Sequence, residues 1–178
     1  MSRLVIVGTV AFDAIETPFG KTDKILGGAA TYIGLAASQF DVEAAIVSVV
    51  GGDFPQEHLE LLKNRNLDIS AIEIIPDGKT FFWSGKYHND LNTRDTLETQ
   101  LNVLAGFKPT VPASFRDAEI LMLGNLHPAV QLSVIEQMTV KPELIILDTM
   151  NFWMENTWDE LTKVIVLSFL HLNDSYAF

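Results

Sequence analysis

The chain has 178 residues, of which 48% are hydrophobic and 20% charged, with a formal net charge of −11 and no cysteine. That length buries the core of one domain with room for an excursion. The acidic balance argues against a nucleic-acid partner, whose phosphates call for a basic surface, and the lack of thiols excludes disulfides and thiolate metal sites.

Met1-Ser2-Arg3 leads straight into the apolar run Leu4–Gly8, a short strand that reads as neither a secretory signal nor a spanning segment. Phe12 to Ile25 then reads as strands without an intervening helix, with Asp13 near its start. Gly27-Gly28 directly precedes a helix-like run, Ala29 to Ser38. Ala44–Val50 is a second buried strand, and Pro55 to Arg65 is a helix with Asp53 near its N-cap. That helix carries Glu57 early, Lys63 and Arg65 late, and Leu59 and Leu62 on one face. Lys79 to Val103 again lacks a helical pattern: Thr80-Phe81-Phe82-Trp83 and Lys86-Tyr87-His88 are aromatic-rich, with Gly85 between them and Asn89-Asp90 as a turn signal.

Phe107 to Pro112 reads as a loop returning the chain to the main sheet. Glu119–Leu123 and Leu144–Asp148 are further strands, separated by a helix over Pro128 to Met138 with Val130, Val134, Ile135 and Met138 as its stripe. Thr157 is placed to cap a helix from Trp158 to about Lys163, and Val164 to Leu170 reads as a last strand joining the main sheet. The apolar stretch to Leu172 is too short to span a membrane. Strand–helix alternation of this kind predicts an α/β fold with a mainly parallel sheet and right-handed crossovers. The two stretches that break it predict an antiparallel patch projecting from that sheet, an ordinary β-meander packed on the core being the other reading.

Several residues carry candidate chemistry. A carboxylate such as Asp13 accepts paired hydroxyls. Gly27 and Gly28 let backbone approach a ligand, and the helix after them points unpaired N–H groups at it. Without further context, Asp13 is also a turn acid and the two glycines a helix-entry turn. Asn125 and His127 follow a strand at its C-terminal end, the ligand edge of a parallel sheet; a loop histidine without a ligand accounts equally well for His127. Phe12, Phe81 and Trp83 can stack on a sugar or nucleoside ring or pack in a sheet face. Phe152, Trp153 and Trp158 are predicted mainly as core, and Asp148 and Asn151 at a strand end suit either a nucleotide contact or a helix cap. The four histidines have no metal-ligand spacing. No Gly-x-Gly-x-x-Gly follows the first strand, which disfavours a dinucleotide-dependent oxidoreductase.

Taken together, Leu4-Val5-Ile6-Val7-Gly8 with Asp13, Gly27-Gly28, Val47 to Asp53 with its Gly-x-Asp turn, Leu67-Asp68-Ile69, Leu144 to Asn151, and Leu172-Asn173-Asp174-Ser175 resemble, in order, the N-terminal part of the ribokinase-like (PfkB family) carbohydrate kinases. The resemblance implies a three-layer α/β sandwich with a small projecting β lid, the lid excursions falling at about 12–26 and 79–104 of one incomplete domain over 1–178. It implies ATP-dependent phosphorylation of a sugar or nucleoside hydroxyl, with Mg²⁺, in the cytoplasm, and a homodimer through the lid. On this reading Asp13, Gly27, Gly28, Phe81 and Asn125 bind the acceptor, while Asp148, Asn151 and Asn173 face the nucleotide. The family's Gly-Ala-Gly-Asp motif, which supplies the catalytic base and the anion hole, does not occur in these residues, and Tyr176 stands where the Glu of Asn-x-x-Glu is expected. The expectation is therefore the substrate-binding part of a kinase, inactive alone; a non-enzymatic binding module or inactive remnant is the other reading. No catalytic residue, nucleic acid or membrane is assigned.

Overall fold

The computed structural model describes residues 2–169. Its main sheet has five parallel strands: β1 (Ser2–Val7), β5 (Val42–Gly51), β6 (Leu67–Ile75), β9 (Ile120–Leu123) and β10 (Leu144–Leu147), in the spatial order β10-β9-β1-β5-β6. From β1 the chain steps outward through β5 to β6, then crosses back to lay β9 and β10 on the other flank. The order therefore reverses between β1 and β9, and the C-terminal ends of those two strands form the crevice where ligands sit in open α/β sheets.

Alternate residues of β1 serve opposite faces, as the pleat requires. Leu4 and Ile6 join a core with Ala30, Ile46, Leu59 and Leu62, under α1 (Ala29–Ala37) and α2 (Gln56–Lys63). Val5 and Val7 join a second core with Leu121, Leu123, Val134 and Val164, under α3 (Pro128–Ile135) and α5 (Trp158–Phe169). These layers make the three-layer sandwich. α3 carries the predicted stripe through Ile135, with Val134 fully buried and Val130 and Ile135 beside it, but the helix ends there, so Met138 packs on the same core from beyond its end. The predicted loop over Phe107 to Pro112 is present, flanked by 3₁₀ turns Asn102–Gly106 and Ala113–Phe115.

The two excursions form a second sheet. β2 (Ala11–Thr17) pairs with β3 (Gly20–Lys21), β4 (Ile25–Gly27) and β7 (Phe82–Tyr87), and β7 pairs with β8 (Arg94–Gln100). The expected wholly antiparallel patch is corrected in one respect: β2 and β7, which join the two excursions, run parallel. Phe12 and Phe82 sit side by side in that register and turn into the α1-side core, 6% and 9% exposed. At the far end Glu16 and Lys86 form a 2.6 Å ion pair. The Asn89-Asp90 turn closes as expected, Asp90 accepting from the Asn92 and Thr93 amides and the Thr93 hydroxyl.

Four further expectations change. Val164 onward is helix, not strand: α5 runs to Phe169, seating Leu161 and Val164 three residues apart in the core and leaving Val166 exposed. Thr157 does not cap it by its side chain, since its hydroxyl donates to the Trp153 carbonyl. Asp53 does not cap α2, whose N-cap is Pro55; its carboxylate instead takes the Thr80 amide and hydroxyl, both at 2.8 Å, and so ties the start of the second excursion to the end of β5. Phe152 and Trp158 are not core but 53% and 55% exposed, with Trp153 half-buried beside them. Asn173, and with it the segment compared with Asn-x-x-Glu, lies outside the described residues.

Candidate functional site

The crevice is built first by the segment after β1. Val10 donates its amide to the buried Ser48 hydroxyl at 3.0 Å, which fixes the chain as it leaves the main sheet for β2. Asp13 follows, in register with Ile25 of β4 on one side and Trp83 of β7 on the other. Residues in register share a face, so Asp13 and Trp83 lie on the side of the second sheet opposite the core-facing Phe12 and Phe82.

The two glycines are each required, for different reasons. Gly28 has φ +95°, a conformation side chains rarely adopt, and a Cβ there would overlap the Thr9 carbonyl. Gly27 allows close approach: a Cβ on it would overlap the Asp13 carboxylate. That carboxylate is half-buried, and burial raises its pKa above the ordinary aspartate value, partly offset by the nearby Gly28 amide. Its oxygens retain unused acceptor capacity in a desolvated setting.

The helix N-terminus departs from expectation. The first amides of α1 do not face a ligand: Ala29 donates to the Thr9 hydroxyl and Ala30 to the Thr9 carbonyl, both at 3.0 Å. Thr9 thus satisfies donors that would otherwise be orphaned at a helix start, and sequence reasoning missed it. The available signal was a hydroxyl residue one step past the strand-ending Gly8, opposite a helix lacking Ser, Thr, Asp or Asn at its N-cap.

Across the crevice, Asn125 is half-buried just past β9, and its side-chain oxygen accepts from the Trp153 indole at 2.8 Å, leaving its amide donors for a ligand. His127 has a structural role: Nδ1 caps α3 by accepting from Ala129 at 3.1 Å, and its ring packs edge-on to Trp153 at 5.1 Å. Phe81 is half-buried at the entry to β7, its carbonyl taking the Phe12 amide at 2.9 Å. Its backbone therefore sits one residue from Asp13.

Asp148 and Asn151 are exposed beyond β10. Neither caps α4 (Asn151–Asn156), whose N-cap is Met150 with no side-chain bond. What fixes this edge is Gln131 of α3, 1% exposed, whose amide nitrogen donates to the Gly124 carbonyl at 2.9 Å and to the Asp148 carbonyl at 3.0 Å. Sequence reasoning missed Gln131 too, because it sits in an apolar stripe with no motif around it. Among the described residues no three His, Cys, Asp or Glu side chains come together to hold a metal ion, and no helix is long and apolar enough to cross a membrane.

No family model matches the chain. A cytidine kinase from Thermococcus kodakarensis is 30% identical over 141 residues, covering 79% of this chain and 50% of that protein. Among solved structures, the nucleoside kinase of Methanocaldococcus jannaschii, an archaeal member of the ribokinase family, superposes with a TM-score of 0.73 at 18% identity, over 94% of this chain and 59% of its own. A nucleoside kinase from Burkholderia thailandensis in complex with inosine superposes at 0.63 and 14% identity, over 89% and 64% of the two chains. The chain spans about half the length of the cytidine kinase that it matches.

Proposed function

We propose, for a chain whose fold is ribokinase-like and whose sequence resembles the N-terminal part of that family's kinases, that it supplies the acceptor-binding half of an ATP-dependent kinase acting on a nucleoside or related sugar. The observation that carries the reading is Asp13: a half-buried carboxylate, pressed over Gly27, beside the crevice at the reversal of strand order. Two hydroxyls on adjacent ribose carbons match two carboxylate oxygens, and a desolvated acceptor gains more from them than an exposed one. Nucleoside is favoured over plain sugar by the relatives, a cytidine kinase and a nucleoside kinase seen with inosine.

In this arrangement Asp13 orients the acceptor, with Gly27 and Gly28 giving it room to approach the backbone, and Asn125 donates from the opposite strand end. Phe81 and Trp83 cover the acceptor and exclude water, which otherwise competes for the phosphoryl group. Orientation of this kind is the protein's chief contribution to phosphoryl transfer. Asp148 and Asn151 stand at the strand end that faces the nucleotide; Asn173, outside the described residues, keeps only the nucleotide role that the resemblance implies. When bound, ATP supplies the phosphoryl group. The described residues make no cluster that fits Mg²⁺, so no step here is routed through a metal. The second sheet acts as the lid and as the surface for a homodimer. The lack of a Gly-Ala-Gly-Asp segment favours binding without turnover when this chain acts by itself.

The test is calorimetry with cytidine, inosine and their 2′-deoxy forms on the wild type and Asp13→Ala. The substitution is expected to weaken binding by roughly 1.5–3 kcal/mol, and the deoxy ligands to lose most of the same contribution. Incubation with ATP, Mg²⁺ and these nucleosides is expected to yield no phosphorylated product. Equal affinity for both proteins, with folding intact, would reduce Asp13 to a turn residue and overturn the reading.

A further inference from the structure

A side-chain amide has two unlike ends, an oxygen that accepts and a nitrogen that donates twice. Which end of Asn125 meets a ligand is therefore set by whatever holds the other. The holder is Trp153, whose indole nitrogen lies 2.8 Å from the Asn125 amide oxygen. An indole N–H can only donate, so the bond admits one orientation of the amide, oxygen toward Trp153 and nitrogen away from it. Among the described residues nothing takes the two N–H groups that are left over.

The indole comes from a different strand end than the amide it holds. Asn125 follows β9, whereas Trp153 lies in α4 beyond β10, 28 positions along the chain. It is braced on several sides. The rings of His127 and Phe152 pack edge-on to it at 5.1 and 4.9 Å, and its backbone carbonyl takes the Thr157 amide at 2.9 Å and the Thr157 hydroxyl at 3.0 Å. His127 is fixed in turn, with Nδ1 taken by the Ala129 amide and Nε2 3.8 Å from the Glu160 carboxylate. A phenylalanine would fill the same half-buried place among these rings. What calls for tryptophan is the N–H, and it is spent on Asn125.

We propose that Trp153 is a positioning residue of the acceptor site: it holds Asn125 with both donors free for the ligand, so that the nucleoside must present there a lone pair with no hydrogen, a base carbonyl or an unprotonated ring nitrogen. The inference rests on the acceptor-site reading above and gives that site a polarity. Asp13 on one side of the crevice only accepts, and Asn125 on the other only donates. Ribose hydroxyls then suit the first and base acceptors the second, whereas a nucleoside entering the other way round sets lone pairs against the carboxylate. A freely turning amide would accept from the ligand as readily as donate to it, and the crevice would lose that discrimination.

Two variants separate this role from simple fastening of α4 to β9. Asn125→Asp still accepts the indole proton through one carboxylate oxygen, so the fastening stays, but it turns a lone pair to the ligand in place of the donors. Trp153→Phe keeps the ring packing and frees the amide. By calorimetry with cytidine and inosine, Asn125→Asp is expected to bind at least about tenfold more weakly and Trp153→Phe about threefold to tenfold more weakly. Trp153→Phe combined with Asn125→Ala should lose no more than Asn125→Ala alone, because Trp153 acts through Asn125. In the ligand-free protein the Trp153 indole proton resonance, assigned by its loss in Trp153→Phe, should stay hydrogen-bonded in Asn125→Asp and shift in Asn125→Ala. Unchanged affinity in Trp153→Phe with cooperative unfolding intact overturns the proposal, as does binding by Asn125→Asp at wild-type strength. Additive losses in the double variant overturn it too, since Trp153 then serves the fold or touches the ligand itself. Asp13→Ala keeps the two readings apart: loss of binding there without loss in Trp153→Phe sinks the positioning role alone, whereas binding that neither variant alters sinks the acceptor site.

Discussion

β1 and β10 end on the same edge of one sheet, two strand positions apart, and they finish in very different ways. Past β1 each turn of the chain is tied: Val10 to Ser48, and Ala29 and Ala30 to Thr9. Past β10 the chain comes out into solvent, with Asp148, Met150 and Asn151 exposed, α4 begun without a side-chain cap, and Gln131 as the main clamp. A site surrounded by its own backbone is set when the chain folds. A site on an uncovered edge takes its final form from whatever covers it. The end of β1 is thus held by the chain's own backbone, whereas the end of β10 is open among the described residues.

The largest expected effect breaks the supported end. Gly28→Val places a branched side chain at φ +95° and against the Thr9 carbonyl, and is expected to cost about 2–4 kcal/mol in denaturant unfolding. Gly27→Ala separates structure from site: its Cβ displaces the Asp13 carboxylate rather than backbone, so nucleoside affinity should fall more than stability does. Equal losses in both would mean that Gly27 serves the turn and not the ligand.

A smaller effect is expected where the two ends meet. Gln131→Met keeps the length of the side chain but strips the donor from the Gly124 and Asp148 carbonyls, at about 1–3 kcal/mol by thermal unfolding. The Gln131 side-chain oxygen is itself buried without a partner, and its removal offsets part of that loss. A neutral result would show that the β10 end is held by its β9 pairing alone.

How much of this was legible follows from how local each signal is. β1, β5, β9 and β10 stand out because buried parallel strands are short uninterrupted apolar runs, and α2 and α3 because their stripes repeat at helical spacing. Val164 to Phe169 misled because Val-Ile-Val-Leu is as good a buried strand as it is a buried helix face, and only the seating of Leu161 with Val164 decides it. β6 was recognisable at its entry, Leu67 to Ile69, but its outward-facing half carries mixed residues. The parallel pairing of β2 with β7 joins segments some seventy positions apart, so no local pattern encodes it. In the site, Asp13 and the two glycines were readable as residues. The role of Thr9 was not, because it depends on where α1 starts in space.

A subtler contrast is electrostatic and concerns Asp13. Burial raises its pKa, so the folded state holds the proton more tightly than the unfolded chain does. Stability therefore falls as pH rises from the ordinary aspartate value through the raised one, and at neutral pH the full cost of the buried charge is present. Asp13→Asn should flatten that part of the stability–pH profile and leave the protein as stable or slightly more stable at neutral pH, while nucleoside affinity drops. An Asn variant that is less stable at neutral pH would mean that the charge is paired in the folded state, contrary to the desolvated carboxylate described here.

The smallest effect is expected at the open end. Asp148→Ala and Asn151→Ala remove exposed side chains that cap no helix, so each should change stability by no more than about 0.5 kcal/mol. Neither should alter nucleoside affinity in this chain, because the residues proposed to bind the acceptor lie past β1 and β9 rather than β10. On the proposed nucleotide role, the same substitutions are expected to weaken ATP binding, read by calorimetry. That pair of measurements decides between two accounts of the same carboxylate. Weaker ATP binding makes Asp148 part of a nucleotide site; unchanged binding makes it an ordinary strand-end residue, and the contrast between the two ends then reduces to one of burial alone.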